Sequence, residues 1–254
     1  LDHALADKSS FLEARFENAR LNKARLRDAD LRGAQLVDAT ADAADFTGAR
    51  LEDADAHRLS APRAVFDHAR LRNLNLFKAA LRSASFNHAE LIKANLNVAE
   101  AKFARFDNAN LAGARMIGIN LEQGSLRRAH LQEVDLREAR LEGVNMADAD
   151  LTRATLELAH LDWADLHGAR LFQADLAKAT FSRADLRDCD LRKAVLKWTT
   201  LTMSDLRGVN LEGANLHKTE LAGANVEGTN FAQTLFLERA VGLQRTDNLD
   251  GALF

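Results

Sequence analysis

Ala29-Asp30-Leu31-Arg32-Gly33-Ala34-Gln35-Leu36-Val37-Asp38-Ala39-Thr40 is the stretch that decides the fold. A large apolar residue recurs at every fifth position, Leu31 then Leu36, and an alanine stands two residues before each, Ala29 and Ala34. Working outward, the series of centres runs back through Leu26, Leu21, Phe16 and Phe11. It runs forward through Ala41, Phe46 and Leu51, crosses the weak centres Ala56 and Ala61, and resumes at Phe66, Leu71, Leu76, Leu81, Phe86, Leu91 and Leu96. It then continues through Ala101, Phe106, Leu111, Met116 and Leu121 to Val226, Phe231 and Phe236, with no insertion or deletion. The remaining positions of each five are mostly polar, charged or glycine.

A period of five fits neither simple template, since a helix repeats every 3.6 residues and a strand every two. Ala, Leu, Arg and Glu favour helix intrinsically. Yet a stripe at every fifth residue drifts about 140° per repeat around a helix and never gathers into one apolar face. A short extended piece followed by a turn, repeated every five residues, does fit. The centre and the small residue two before it then both point inward.

These residues resemble the pentapeptide-repeat family, whose consensus is A(D/N)LXX. The motif stands as Ala-Asp-Leu at 29–31, 149–151, 164–166, 174–176 and 184–186, and as Ala-Asn-Leu at 94–96, 109–111 and 214–216. The resemblance spans residues 9–237. It implies an all-β fold, a right-handed quadrilateral β-helix with four pentapeptides per coil. About 11 coils would stack into a rod about 50–55 Å long at one strand spacing per coil.

With coils of that length, residues 20 apart stack. Phe46, Phe66, Phe86 and Phe106 then form one internal column, beside Ala41, Ala61 and Ala101 in the neighbouring one. Large and small side chains alternate around the same coils, as constant core volume requires. Leu59 and Leu74 occupy slots usually given to alanine. Residues 56–65 hold Pro62, the one proline of the chain, and two weak centres; if the rod bends or bulges anywhere, that is the place expected. The ends of a solenoid need protection because an open coil is an unpaired sheet edge. Residues 1–8 read as an N-terminal cap. Residues 238–254 leave the register and read as a short helix or an irregular cap. Leu249, Leu253 and Phe254 are apolar enough to cover the last coil or to join a second subunit. The family resemblance implies homodimerisation through this C-terminal end.

Composition narrows the function classes. The 254 residues carry a formal net charge of -3, with 34 Lys and Arg against 37 Asp and Glu. That balance gives no whole-chain attraction to nucleic acid or to anionic membrane. One cysteine, Cys189, cannot form an internal disulfide and suits a reducing compartment. No apolar run reaches the roughly 18–20 residues that span a bilayer, and no signal peptide is legible. The chain opens at Leu1 rather than Met, which leaves room for a further N-terminal region with its own activity.

No catalytic constellation is legible either. The sequence has no Gly-rich phosphate loop ending in Lys-Ser/Thr, no paired-Cys motif and no His-Glu-x-x-His. The chain therefore reads as non-enzymatic, with no cofactor or metal. Asp165, Asp185 and Asp205 form an acidic stack 20 residues apart, flanked by Asn145 and Asn225. As a site it would hold a cation or a basic partner. As structure, an Asp or Asn before the centre bonds the turn backbone, and Arg187 and Arg207 stand two residues after two of the aspartates. His68 and His88 stack on an outward position but lack a third ligand for a metal. Cys189 takes a small inward slot and reads as core. One side carries outward apolar residues, Phe77, Val98, Ile117, Leu158 and Trp198, with Lys178, Lys197 and Lys218 nearby; Ile92, Phe103, Trp163 and Phe172 lie outward on others. Aromatic and basic residues in series suit a partner surface.

Three functions follow in order. The first is a protein-protein interaction rod or scaffold in a bacterial cytoplasm, with an unidentified protein partner. The second is the repeat domain of a secreted bacterial effector or secretion-system accessory protein. The third, implied by relatives that resemble B-form DNA and bind DNA gyrase, is a topoisomerase-protecting DNA mimic. A mimic needs strongly acidic faces, to match one charge per about 1.7 Å of duplex. Counted face by face, three here are close to neutral and the fourth is mildly acidic.

Overall fold

Each five-residue unit solves one local problem: it places two residues inside and turns the chain. In a computed structural model that describes residues 1–246 and 251–253, every unit follows the same course. Three residues are extended, so their side chains alternate in, out, in. In the unit around Leu31 these are Ala29 inside, Asp30 outside and Leu31 inside; Ala29 and Leu31 are both fully buried. The two following residues turn, and the Ala34 amide closes the turn on the Leu31 carbonyl at 3.0 Å. The third residue of the turn has positive φ, +65° at Gly33 and +55° at Asp38, the pattern of a type II turn. The inward alternation and the turn together produce the period of five.

Coils close on themselves every 20 residues. Parallel bridges pair Leu5 with Arg25, Arg25 with Asp45, Asp45 with Val65, and so on to Asn215 with Leu235. Each outward residue donates backward, as from the Arg25 amide to the Ala4 carbonyl at 2.8 Å, and each centre donates forward, as from the Ala6 amide to the Arg25 carbonyl at 2.8 Å. Four turns divide a coil: in the first, at residues 2–3, 7–8, 12–13 and 17–18. These are called here the first to fourth turns, and the stretch from the fourth turn of one coil to the first of the next is the linking face.

The core is a continuous column. Phe46, Phe66, Phe86 and Phe106 stack at centroid separations of 4.8, 4.7 and 4.7 Å, close to parallel. Leu59 and Leu74 are buried in alanine slots. Near the C-terminal end several alanine slots hold Thr or Ser instead, and each hydroxyl finds a carbonyl. Thr199, Thr219 and Thr229 donate to Leu176, Leu196 and Leu206 at 2.8, 2.6 and 2.7 Å. Cys189 repeats that geometry, its Sγ 3.0 Å from the Leu166 carbonyl. A buried hydroxyl with a partner avoids the penalty of an orphaned polar group.

Residues 56–65 hold the register without a bulge: Ser60 bridges Ala80, Val65 bridges Ser85, and the Pro62 carbonyl still accepts from the Ala43 amide at 2.9 Å. Pro62 sits second in its turn, ahead of Arg63 at φ +59°, where a fixed φ is favoured and no amide is needed. Residues 1–8 carry the coil's own turns, with His3 and Lys8 at φ +60° and +56°, and Leu5 bridges Arg25. The repeat therefore already runs through them. At the other end the register breaks into two single 3-10 turns, Leu237–Arg239 and Leu243–Arg245. Leu237, Ala240, Leu243 and Ala252 pack against the core, and the Leu253 carbonyl accepts from the Phe231 amide at 2.7 Å. Leu249 and Phe254 lie outside the described residues.

Candidate functional site

Every residue from 3 to 233 in steps of five has positive φ, and most are not glycine. Such a conformation costs a residue with a Cβ about 1–2 kcal/mol, least for Asn, Asp and Gly. Most turns obey this preference or carry a long polar side chain. Six do not: Val98, Phe103, Leu158, Trp163, Trp198 and Met203 are large and apolar at φ between +57° and +64°. All six are also exposed, Trp163 by 62% and Met203 by 59%. Here the chain combines backbone strain with exposed apolar surface.

Their placement is not scattered. Val98, Leu158 and Trp198 occupy fourth turns; Phe103, Trp163 and Met203 occupy the first turns immediately following. They form three pairs across the linking face, and no large apolar residue stands at the same position of any second or third turn. The candidate surface read from the sequence maps onto one edge of this face. Phe77, Val98, Ile117, Leu158, Trp198, Lys178, Lys197 and Lys218 all lie in fourth turns, with Phe77 and Ile117 half-buried. Amide-to-carbonyl bonds tie the column coil to coil, from Val98 to Ile117 at 2.8 Å, Lys178 to Lys197 at 2.8 Å and Trp198 to His217 at 2.9 Å. Sequence reading put Phe103 and Trp163 on other sides; they stand on the opposite edge of the same face. Met203 was missed. Its signal was the combination of a fixed turn position with a side chain that position disfavours.

Cations cover the exposed rings. Lys218 Nζ lies 4.0 Å from the centre of the Trp198 ring, and the Arg183 guanidinium 4.6 Å from that of Trp163. Arg82 covers Phe103 at 5.0 Å and Lys78 covers Phe77 at 5.1 Å. His217 meets Trp198 edge-on at 6.0 Å and Phe236 at 5.4 Å. Such contacts are worth about 0.5–1 kcal/mol when exposed.

The acidic stack presents a different chemistry. Asp165, Asp185 and Asp205 bridge one another in register. Arg187 forks onto Asp185 at 2.6 and 2.9 Å and reaches Asp205 at 3.7 Å; Arg207 forks onto Asp205 in the same way. These guanidiniums hold both carboxyls below the usual range. The same fork recurs wherever Asp-Leu-Arg occurs, at 30–32, 135–137 and 190–192, and Arg32 brings Asp30 down to about 2. The stack thus shares a structural device with the rest of the chain. His68 and His88 stack at 5.0 Å, and among the described residues no group of three or more potential ligands could hold a metal ion. Burial pushes the Cys189 thiol up. Among the described residues no helix is long and apolar enough to cross a membrane.

The pattern of pentapeptide repeats matches residues 9–48, 63–97, 104–143, 129–173, 169–208 and 195–233, in 8 copies. The chain belongs to the pentapeptide repeat family. Residues 49–62, with the weak centres Ala56 and Ala61, fall outside the match yet keep the family's turn and ladder. Among solved pentapeptide repeat structures, the chain is similar to HetL, involved in heterocyst differentiation regulation in the cyanobacterium Nostoc sp., at 28% identity over 94% of this chain and 93% of that one, with a TM-score of 0.38. A thylakoid-lumen member from Arabidopsis thaliana is 32% identical over 34% of this chain and 61% of its own, with a TM-score of 0.34. QnrB1, a plasmid-mediated fluoroquinolone resistance protein, is 16% identical over 87% and 91%, with a TM-score of 0.43. No curated protein sequence matches the chain significantly.

Proposed function

We propose that this pentapeptide repeat protein is a protein-interaction rod, a right-handed quadrilateral β-helix of about 11 coils that docks a partner on its linking face. One observation carries the reading. All six large apolar residues at the regular positive-φ turn positions, residues 3 to 233, border that single face. Strain of this kind persists where the surrounding fold over-determines it, and it gathers at functional sites. Between the flanking columns the linking face is polar, with Thr180 and Thr200 outward.

The test is position-resolved cross-linking. A photo-reactive phenylalanine analogue replaces Met203 on the linking face or Gln173 on a third turn, and both proteins are irradiated in lysate of the source cells. A discrete adduct from position 203 that is absent from position 173, and lost in a Trp163→Ser, Trp198→Ser variant, is the expected result. Adducts of equal yield from both positions would remove the basis for the face.

A further inference from the structure

From the order of side chains along the linking face we infer the chemistry of its occupant: an extended peptide segment, apolar at every third residue and acidic between, that runs parallel to the rod axis. The inference rests on the interaction reading above and adds the class of partner.

Three successive coils carry it. The first presents the apolar pair Leu158 and Trp163, the next the cationic pair Lys178 and Arg183, and the third the apolar pair Trp198 and Met203. Each pair spans the face from fourth turn to first turn. Coils are about one strand spacing apart, about 4.8 Å, so the apolar pairs are separated by about 9.6 Å with the cations midway. A chain in the extended polyproline II conformation, with three residues per turn at about 3.1 Å each, covers that distance in one turn and brings its side chains back to the same side. A segment with an apolar residue at every third position therefore directs its apolar side chains to both apolar pairs, and its two intervening residues stand at the level of the cations.

Charge selects the sign of those intervening residues. Among the described residues, Arg183, Lys197 and Lys218 make no ion pair, whereas the arginines of the Asp-Leu-Arg units are folded back onto their own aspartates. Carboxylates on the face are already engaged or few. Glu157 accepts from Lys178 at 3.2 Å. Asp162 is turned inward onto the Ser182 amide at 2.7 Å and the Thr180 hydroxyl at 2.8 Å. Glu220 stands one coil beyond. Arg183, Lys197 and Lys218 thus keep their charge unpaired and their donors spare, and Lys178 keeps donors beyond the one given to Glu157, so a carboxylate between the apolar pairs would meet them. Nucleic acid fits less well, because a base stacks on an open aromatic face and a face of each tryptophan is occupied by Lys218 or Arg183.

The experiment uses the full chain and three fluorescein-labelled probes: the nonapeptides (Leu-Asp-Glu)₃ and (Leu-Lys-Lys)₃, and a 15-nucleotide oligo-dT. Fluorescence anisotropy is read for the wild type, for Lys178→Glu with Arg183→Glu, and for Trp163→Ser with Trp198→Ser, each checked for an unchanged melting curve. The acidic peptide should bind saturably. Charge reversal should weaken it at least about tenfold while improving the basic peptide, and loss of the tryptophans should weaken both. Absence of saturable binding up to about 1 mM, indifference to charge reversal, or preference for the basic peptide or oligo-dT would overturn the inference. The cross-linking at position 203 separates the two levels. An adduct that survives charge reversal leaves the face as a docking site and removes the acidic segment; loss of positional specificity in the wild type removes both.

Discussion

Replacing Phe86 by alanine tests the internal column at its most constrained point. Phe86 is fully buried and stacks at 4.7 Å on Phe66 and at 4.7 Å on Phe106. Truncation of a buried phenylalanine costs about 3–5 kcal/mol, depending on how far the site collapses. Collapse here is opposed on both sides. The Phe86 amide is bonded to the Arg105 carbonyl at 2.7 Å and the Ser85 amide to the Ala64 carbonyl at 2.9 Å, which pins the coil to those above and below. The upper part of the range is expected. Phe106 supplies the internal control, since it ends the stack and touches one ring instead of two. Each ring contact is worth about 0.5–1.5 kcal/mol beyond area burial, so Phe86→Ala should exceed Phe106→Ala by about that amount. Urea denaturation followed by circular dichroism gives both values, provided the slope is unchanged between variants. A cost below about 2 kcal/mol for Phe86→Ala, or equal costs for the two, would refute a column held rigid by its ladder.

Other outcomes follow from smaller features. The Asp-Arg forks place the carboxyls of Asp30, Asp135, Asp185, Asp190 and Asp205 below their usual range. Their contribution is therefore complete above the unfolded value near about 4 and is lost as pH falls toward about 2. The urea midpoint should decline over that window, modestly because the forks are exposed, and a flat profile would contradict it. Cys189, its thiol pushed up by burial, should resist thiol-specific reagents at pH 8 until the chain unfolds. Cys189→Thr should fold with a near-normal melting temperature, since Thr199, Thr219 and Thr229 make the same bond; a large loss would mean that the slot at Cys189 differs from theirs. Gly124→Ala should cost about 1–3 kcal/mol by overpacking, because its Cβ would lie 2.8 Å from the Ala104 carbonyl oxygen. Gly118→Ala has open space around its Cβ and should cost only the strain of φ +62°, about 1–2 kcal/mol; equal melting curves for the two variants would argue against the clash.

Much of this was legible in the chain because the repeat is unbroken. The centres and their alanines reported the inward positions, and the phenylalanines 20 residues apart reported the stack. The weak centres Ala56 and Ala61 marked the place where a bulge would be expected, and none is there. Register is kept by backbone bonds, which do not depend on side-chain size, and Pro62 fell at the turn position that suits it. Trp163 and Met203 were not grouped with Trp198 because a five-residue offset reads as a different side. In the folded coil that offset is the width of one face. Nor did composition disclose which outward residues are strained, since positive φ is a property of position within the turn and not of residue type.

The unbroken register also gives every surface residue an angular address. Inserting five residues between two coils would leave the inward pattern and the ladder intact, yet every later side chain would move one turn onward around the axis. Trp198 would then leave the line of Val98 and take up the edge that Phe103 and Trp163 share. Inserting 20 would restore the alignment and lengthen the chain by one coil. In such a molecule, gain or loss of a single repeat unit acts as a rotation, able to split one continuous surface into two that look in different directions without disturbing the core.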